Sequence, residues 1–316
     1  MAVEAEIISL ADVRAAAARI EPHIWSTPTV AGESIAGPGV WLKAENLQRT
    51  GSFKLRGAVN AVLQLHPTQR RRGVITLSAG NHGMALACAA QLVGIPCVVV
   101  VRDDAPITKL EAIRRYGGEI VLTPLARWQE RLETEQRARE LHLVHPFDDP
   151  AVAAGQGTVG LEILQSAPDV RTLVVPVGGG GLITGVAVAV KQQRPEVRII
   201  GVEPAQAPTV TESLAAGHPV APSRLDTIAE GLAAPYTRPF NLAVIQRYVD
   251  EMRTVTDEAI VDAVKAVARL AKLVVEPAGA ASVAALLADP GIERPVVAVL
   301  SGGNVDGRRL GAWLAS

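Results

Sequence analysis

Cysteine is nearly absent from this chain, which has two, Cys88 and Cys97, in 316 residues. Both lie in apolar surroundings, and neither a disulfide framework nor a metal-ligand spacing can be built from them. A secreted disulfide scaffold is therefore excluded, and a reducing compartment, the cytoplasm, is expected. A dominant charge is also missing. Lys and Arg number 31 against 32 Asp and Glu, a net charge of -1, so no broad field is offered to nucleic acid or to an anionic membrane. No apolar run reaches the ~18 residues of a membrane span. The N-terminal MAVEAEIISLADV carries acidic residues where a signal peptide needs basic ones, so no targeting segment is expected.

What the chain does have is enough length and enough apolar residues, 48% of the total, to fill two cores. Its default partner is a small molecule. Ser9 followed by Leu10, Val13 and Ala17 predicts a capped helix closed by Pro22. Val40 to Lys43 predicts a short strand, and a helix follows Lys54 and continues over Asn60 to Leu65. The basic run Arg70 to Arg72 reads as a solvated turn. From Val74 the pattern alternates apolar strands with amphipathic helices, as a parallel sheet requires. Strands are expected at Val74 to Leu77, Pro96 to Val101, Glu119 to Leu122, Thr172 to Val177, Arg198 to Glu203 and Val296 to Leu300. Helices are expected at 83–94, 106–116, 127–141, 151–165, 182–193, 257–273, 278–288 and 306–315, with an irregular stretch from Pro204 to Pro239. HPFDDP at His145 to Pro150 reads as a return crossing between domains.

Four short stretches carry chemistry. In ENLQRTGSFKLRG, Glu45 to Gly57, Lys54 stands among small and hydroxylic neighbours. An amine is nucleophilic only as the free base, so its pKa of about 10.4 must be lowered by burial or a nearby cation. Phe53 and Leu55 can supply burial, and Arg56 a like charge. Taken alone, these residues favour a solvated lysine at a helix start, with Gly51 and Ser52 as turn and cap, and it is the glycine-rich segments further along that reverse this. Gly178 to Gly181 follow an apolar strand and open a helix, where backbone amides and the helix dipole suit a phosphate. Glu203 stands where a ribose-binding acid would, yet neither the GxGxxG nor the GK[ST] spacing is met, so a dinucleotide or P-loop site does not fit. SAGNHG, Ser78 to Gly83, makes a second anion cradle suited to a carboxylate. SGGN, Ser301 to Asn304, ends a buried strand and by itself reads as a turn.

Taken in order, TGSFKLRG, SAGNHG, VGGGGL and SGGN resemble the pyridoxal-phosphate enzymes of the threonine dehydratase and serine racemase family, over roughly Thr27 to the C-terminus. The resemblance is closest to short dehydratases made of the catalytic part alone. It implies an α/β fold of two doubly wound parallel-sheet domains, the fold type II (tryptophan synthase β-like) arrangement. The large domain is expected at 1–52 and 147–316 and the small one at 53–146, with no C-terminal regulatory domain and a homodimeric assembly.

The same resemblance implies roles. Lys54 carries pyridoxal 5'-phosphate covalently and acts as the catalytic base, with Phe53 beside it. Gly178, Gly179, Gly180 and Gly181 with Leu182 hold the phosphate. Asn81 hydrogen-bonds the phenolic oxygen, Ser301 meets the pyridine nitrogen and Glu276 lies near the ring. Ser78, Ala79, Gly80, Asn81 and His82 surround the substrate carboxylate. A hydroxyl at Ser301 cannot hold the ring nitrogen protonated as a carboxylate would, which favours prompt loss of a β leaving group. Racemase-like members carry serine where this chain has Ala79, and a methyl group cannot supply an acid on the second face of Cα. In the segment that binds a divalent cation in racemase-like members, Glu203 and Ala207 match the pattern, but Thr209 replaces an Asp, so no metal is expected. The activity implied is dehydration and deamination of a β-hydroxy amino acid such as L-threonine or L-serine to a 2-oxo acid and ammonia. The alternatives are a racemase or β-replacement enzyme on the same fold, or a noncatalytic or dinucleotide-binding Rossmann-like protein.

Overall fold

The computed structural model describes residues 8–78 and 80–316. Two sheets organise the chain. The larger contains β1 (Thr29–Ala31), β2 (Val40–Ala44), β7 (Thr172–Pro176), β8 (Arg198–Pro204), β9 (Glu251–Val255) and β10 (Val296–Leu300), in the order β1-β2-β10-β7-β8-β9. Only β1 runs antiparallel, against β2. The smaller contains β3 (Val74–Leu77), β4 (Cys97–Arg102), β5 (Glu119–Thr123) and β6 (His142–Leu143), all parallel, in the order β5-β4-β3-β6.

The strands are apolar on both faces because helices cover both. In β10, Val296, Ala298 and Leu300 pack with the helices Asp257–Ala266 and Pro277–Ala288, while Val297 and Val299 face the opposite way, toward the helices Pro150–Ser166 and Gly181–Lys191. A side-chain period of two on a parallel strand places alternate residues in two separate cores. Each sheet also changes winding direction once: between β7 and β10 in the larger, and between β3 and β6 in the smaller. Ligands of open α/β sheets lie outside the carboxyl ends of strands at such switch points. The four strands concerned end at the glycine run (β7), SGGN (β10), SAGNHG (β3) and HPFDDP (β6).

Three helices near these switch points touch backbone to backbone. A Cβ on Gly155 would stand 2.7 Å from the Arg56 carbonyl, and one on Gly57 would stand 2.6 Å from the Val152 carbonyl. A Cβ on Gly185 would stand 2.1 Å from the Ala153 carbonyl. The helices Lys54–Leu63, Pro150–Ser166 and Gly181–Lys191 can meet this closely only because these positions lack side chains.

Several expectations are corrected. The stretch expected to be irregular holds the helix Thr209–Ala216, and the helix Pro239–Tyr248 with strand β9 fills the interval before Asp257. Arg70 to Arg72 are not a turn but the last turn of a short helix, Pro67–Arg72, capped by the His66 side chain. The helix from Asp257 is regular only to Ala266 and continues as a π-helical turn, Val267–Ala271, ended by Lys272 at φ +59°. The first helix, Leu10–Ile20, forms as read, with a reciprocal capping box between Ser9 and Asp12.

Candidate active site

Lys54 opens the helix Lys54–Leu63, and the backbone before it is held from the far end of the chain. The Phe53 amide donates to the Ser301 carbonyl at 3.1 Å, and Ser52 bridges Gly302. The Lys54 ammonium donates to the Pro146 carbonyl at 2.8 Å and stands 5.1 Å from the centre of the Phe53 ring. Although the side chain keeps some contact with solvent, the protein around it desolvates the charge and lowers its pKa to about 8. A solvated lysine is thereby replaced by an amine that is partly free base near neutral pH.

Arg56 does not supply the like charge expected of it. Its guanidinium is fully buried and pairs twice with Glu45, at 2.8 and 2.8 Å, and twice with Glu162, at 2.7 and 2.8 Å. Lys43 adds a further contact to Glu162 at 2.5 Å. Burial alone would depress the guanidinium's pKa, but the carboxylates Glu45 and Glu162 outweigh it and keep Arg56 charged. Arg56 thus ties the lysine's helix to the helix Pro150–Ser166 and to the end of β2.

The glycine run is shaped by close packing. Gly180 has φ +98°, a Cβ on Gly179 would stand 2.6 Å from the Phe147 ring, and one on Gly178 would stand 3.0 Å from Leu232 Cα. The helix that follows, Gly181–Lys191, has no side-chain cap, so its first amides, including that of Leu182, point into the turn. Three buried polar atoms have no partner among the described residues: Thr184 Oγ1 on this helix, Asn241 Oδ1 on the side chain packed against Gly180, and Ser52 Oγ beside the lysine segment. Uncapped amides with two unpaired hydroxyls suit an anion, and an amine of lowered pKa suits an aldehyde. The donor set therefore fits pyridoxal phosphate.

Asn81 opens the helix Asn81–Val93 after β3. Its Nδ2 donates to Glu276 Oε1 at 2.5 Å, and its Oδ1 accepts from Asn304 Nδ2 at 2.7 Å. Burial pushes the Glu276 carboxyl up to about 7. Ser301 is buried at 4% exposure, and its hydroxyl donates to the Ala278 carbonyl at 3.3 Å. In the anion cradle, Ser78 Oγ accepts from the Gly80 amide at 3.1 Å, and a Cβ on Gly83 would stand 2.2 Å from the Ser78 carbonyl. Ala79 lies outside the described residues.

The His82 side chain departs from its expected role. It is 2% exposed, with Nε2 3.0 Å from the Val144 carbonyl, so the ring braces β6 and does not face a carboxylate. Burial, with the Lys54 charge, holds its pKa down at about 3, so the ring is neutral. Only its backbone amide remains for an anion.

The candidate cation segment is likewise occupied by protein. Glu203 accepts from the amides of Val210 and Thr211 at 2.7 and 2.8 Å and from the Thr211 hydroxyl at 2.6 Å, capping the helix Thr209–Ala216. Burial raises its pKa to about 7 in spite of these bonds. Ala207 is buried, and the Thr209 hydroxyl donates to the Ala234 carbonyl. Among the described residues, no three His, Cys, Asp or Glu side chains converge as a metal cluster.

Sequence reasoning missed Asn304, Asn241, His145 and Tyr236. His145 Nδ1 accepts from the Asp148 amide at 2.9 Å, so Nε2 carries the proton and lies 3.3 Å from the Tyr236 hydroxyl. Burial, then the charges of Arg238 and Lys54, depress its pKa to about 4. The turn residues of HPFDDP were the available signal for His145. Nothing in the local sequence marks Tyr236.

Comparison with known proteins agrees with this geometry. The chain is 44% identical over 276 residues to an L-threonine ammonia-lyase of Thermotoga maritima, covering 86% of this chain and 69% of that one. It is 39% identical over 307 residues to a serine racemase of Oryza sativa, covering 93% and 90%. The solved structure of maize serine racemase superposes with a TM-score of 0.92 at 36% identity, covering 97% of each chain. The sequence pattern of the pyridoxal-phosphate dependent enzymes matches residues 20–302, and the chain belongs to that family.

Proposed function

We propose that the protein is a pyridoxal-phosphate-dependent ammonia-lyase that dehydrates and deaminates a β-hydroxy amino acid, L-threonine or L-serine, to a 2-oxo acid and ammonia. The observation that carries this reading is the Lys54 amine, with its pKa lowered to about 8, beside the switch points of two parallel sheets. Threonine ammonia-lyase relatives at 44% identity support the choice of reaction.

When bound, pyridoxal phosphate supplies the electron sink that acidifies the substrate Cα–H and lets a β-hydroxyl depart. Lys54 Nζ holds the group and, as a free amine, takes the Cα proton. The amides of Gly178 to Leu182 bind its phosphate, with Ser52 and Thr184 as further donors. Asn81 Nδ2 donates to its phenolic oxygen. Phe53 packs beside the lysine, and Glu276 holds Asn81 in place. The Ser301 hydroxyl, turned from the Ala278 carbonyl, would donate to the ring nitrogen without placing a negative charge there. Ser78, Gly80 and the amides of Asn81 and His82 orient the substrate carboxylate, and Ala79 belongs to the same turn.

The division of the chain into a large part, 1–52 with 147–316, and a small part, 53–146, belongs to this proposal. Its support is that the smaller sheet falls within 74–143 and the larger wholly outside 53–146. A homodimer in the cytoplasm completes the reading, and the two free, buried cysteines agree with a reducing compartment. Among the described residues, no helix is long and apolar enough to cross a membrane.

Racemisation is the second reading, favoured by the rice relative. A visible absorption spectrum followed by assay of L-threonine and L-serine for 2-oxo acid tests the proposal, with chiral chromatography of the remaining serine. A yellow protein forming oxo acid is expected, with little D-serine. A colourless protein defeats the reading, and D-serine forming as fast as pyruvate replaces it with the second.

A further inference from the structure

A chain of hydrogen bonds behind Asn81 determines which end of that amide faces the cofactor. Asn304 Nδ2 lies 2.8 Å from the Thr50 carbonyl oxygen and 2.7 Å from Asn81 Oδ1, and Asn81 Nδ2 lies 2.5 Å from Glu276 Oε1. A backbone carbonyl has only lone pairs to offer, so Thr50 must meet the amino end of Asn304. Both N–H bonds of that amino group are then used, one on Thr50 and one on Asn81. Since an amino group only donates, the atom of Asn81 that faces it must be the oxygen. Asn81 therefore turns its own amino group the other way. One N–H reaches Glu276, and the other has no partner among the described residues.

Glycines hold this chain of bonds in place. Gly51 has φ +72°, and a Cβ there would stand 2.4 Å from Asn304 Oδ1. The Gly303 amide donates to the Gly51 carbonyl at 2.8 Å. A Cβ on Gly302 would stand 2.2 Å from Glu276 Oε1 and 3.2 Å from Asn81 Nδ2. The two glycines of SGGN and the glycine of TGSFK thus let Asn304 lie across the lysine segment and reach a residue 223 positions away.

We infer that Asn304 is a positioning residue for the reaction: by holding Asn81 Oδ1 while Glu276 accepts one N–H of Nδ2, it commits the other N–H to the phenolic oxygen of the cofactor, so that Asn81 can only donate there. The inference rests on the function proposed above. A reversed Asn81 would set its own lone pairs against an oxygen that also carries lone pairs. The reversed amide would leave a buried acceptor unmatched at the cofactor.

The test uses Asn304→Asp, which keeps the side-chain shape and removes both donors. Its carboxylate competes with Glu276 for Asn81 Nδ2 and so pulls the amide away from its native orientation. The cofactor dissociation constant, measured by equilibrium dialysis of the apoprotein, is expected to rise about tenfold, the equivalent of one hydrogen bond. The visible absorption maximum of the bound cofactor is expected to move with it. Asn304→Ala, which leaves Glu276 alone to orient Asn81, should show a smaller change, about threefold, and replaces Asn304→Asp should the latter not fold. In an Asn81→Ala background either change should be silent in both readouts, because no amide is left to orient. A wild-type affinity and spectrum in the Asn304 variants overturns the inference. So does an equal loss in the Asn81→Ala background, which would make the effect one of added charge or of the Thr50 turn. A wild-type protein that binds no pyridoxal phosphate removes the functional reading and this inference together; binding by wild type with indifferent variants removes the inference alone.

Discussion

The Phe53 amide and the Ser301 carbonyl are hydrogen-bonded at 3.1 Å, so the residue before Lys54 is fastened to the end of the central strand β10. The lysine and the SGGN turn are therefore one rigid piece, and the amine is held where its surroundings lower its pKa to about 8. Capture of pyridoxal phosphate by the apoprotein, trapped with borohydride at a series of pH values and located by peptide mapping, should be half-maximal near pH 8, well below the ~10.4 of a free lysine. Lys54→Ala should carry no label and lose about 10³-fold or more in turnover.

The Phe147 ring bears on the glycine turn. Gly179→Ala would bring a methyl group to 2.6 Å from that ring, and overpacking of this kind costs about 1–3 kcal/mol. Urea denaturation should register that loss. Cofactor affinity should fall as well, because the turn and Phe147 cannot both keep their places.

Arg56, itself shut off from solvent, balances two carboxylates. Arg56→Met leaves Glu45 buried without its cation, and breaking such a pair from one side costs about 3–5 kcal/mol. Unfolding monitored by circular dichroism should show a loss on that scale. Glu162, 19% exposed in its side chain and also paired with Lys43, is the milder site, and Glu162→Gln should cost less than Arg56→Met.

Glu276 carries a pH signature. Its folded-state pKa is raised to about 7 from an unfolded value near 4.5, so between those values the folded protein binds more protons than the unfolded one. Its contribution is then fully present below about pH 4.5 and is lost as pH rises through about 7. Glu276→Gln, which still offers Asn81 an acceptor, should flatten this part of the apoprotein's stability profile, gaining about 1–3 kcal/mol on wild type at pH 8 relative to pH 5. Thermal melts of both proteins across that range measure it.

The parts of the fold legible in the sequence are those with an unambiguous local cause. Fully apolar strands such as Val296–Leu300 admit one reading, and a glycine run between strand and helix marks a turn where backbone must approach something closely. Strand β9 escaped because it lies at the sheet edge and alternates charge, with Arg253 paired to Glu251 and Asp289. The helix Thr209–Ala216 escaped because its cap, Glu203, is supplied by the preceding strand rather than by its own N-cap residue. Arg56 was misread because adjacency in sequence was taken for adjacency in space. On a helix, residues two apart point to different sides, and the carboxylates that claim Arg56 come from residues 45 and 162. Asn304 belonged to a recognised motif, yet its partner is fixed only by the tertiary fold.

The backbone contacts among the helices Lys54–Leu63, Pro150–Ser166 and Gly181–Lys191 decide which side of the active site can be re-engineered. Where carbonyls and glycine Cα atoms touch directly, as Gly57, Gly155 and Gly185 do, no side chain remains to be trimmed, and an added Cβ would have to move backbone. A substitution at any of these three glycines would therefore displace a whole helix, and with it the spacing between Lys54 and the glycine run, where elsewhere it would change one side chain.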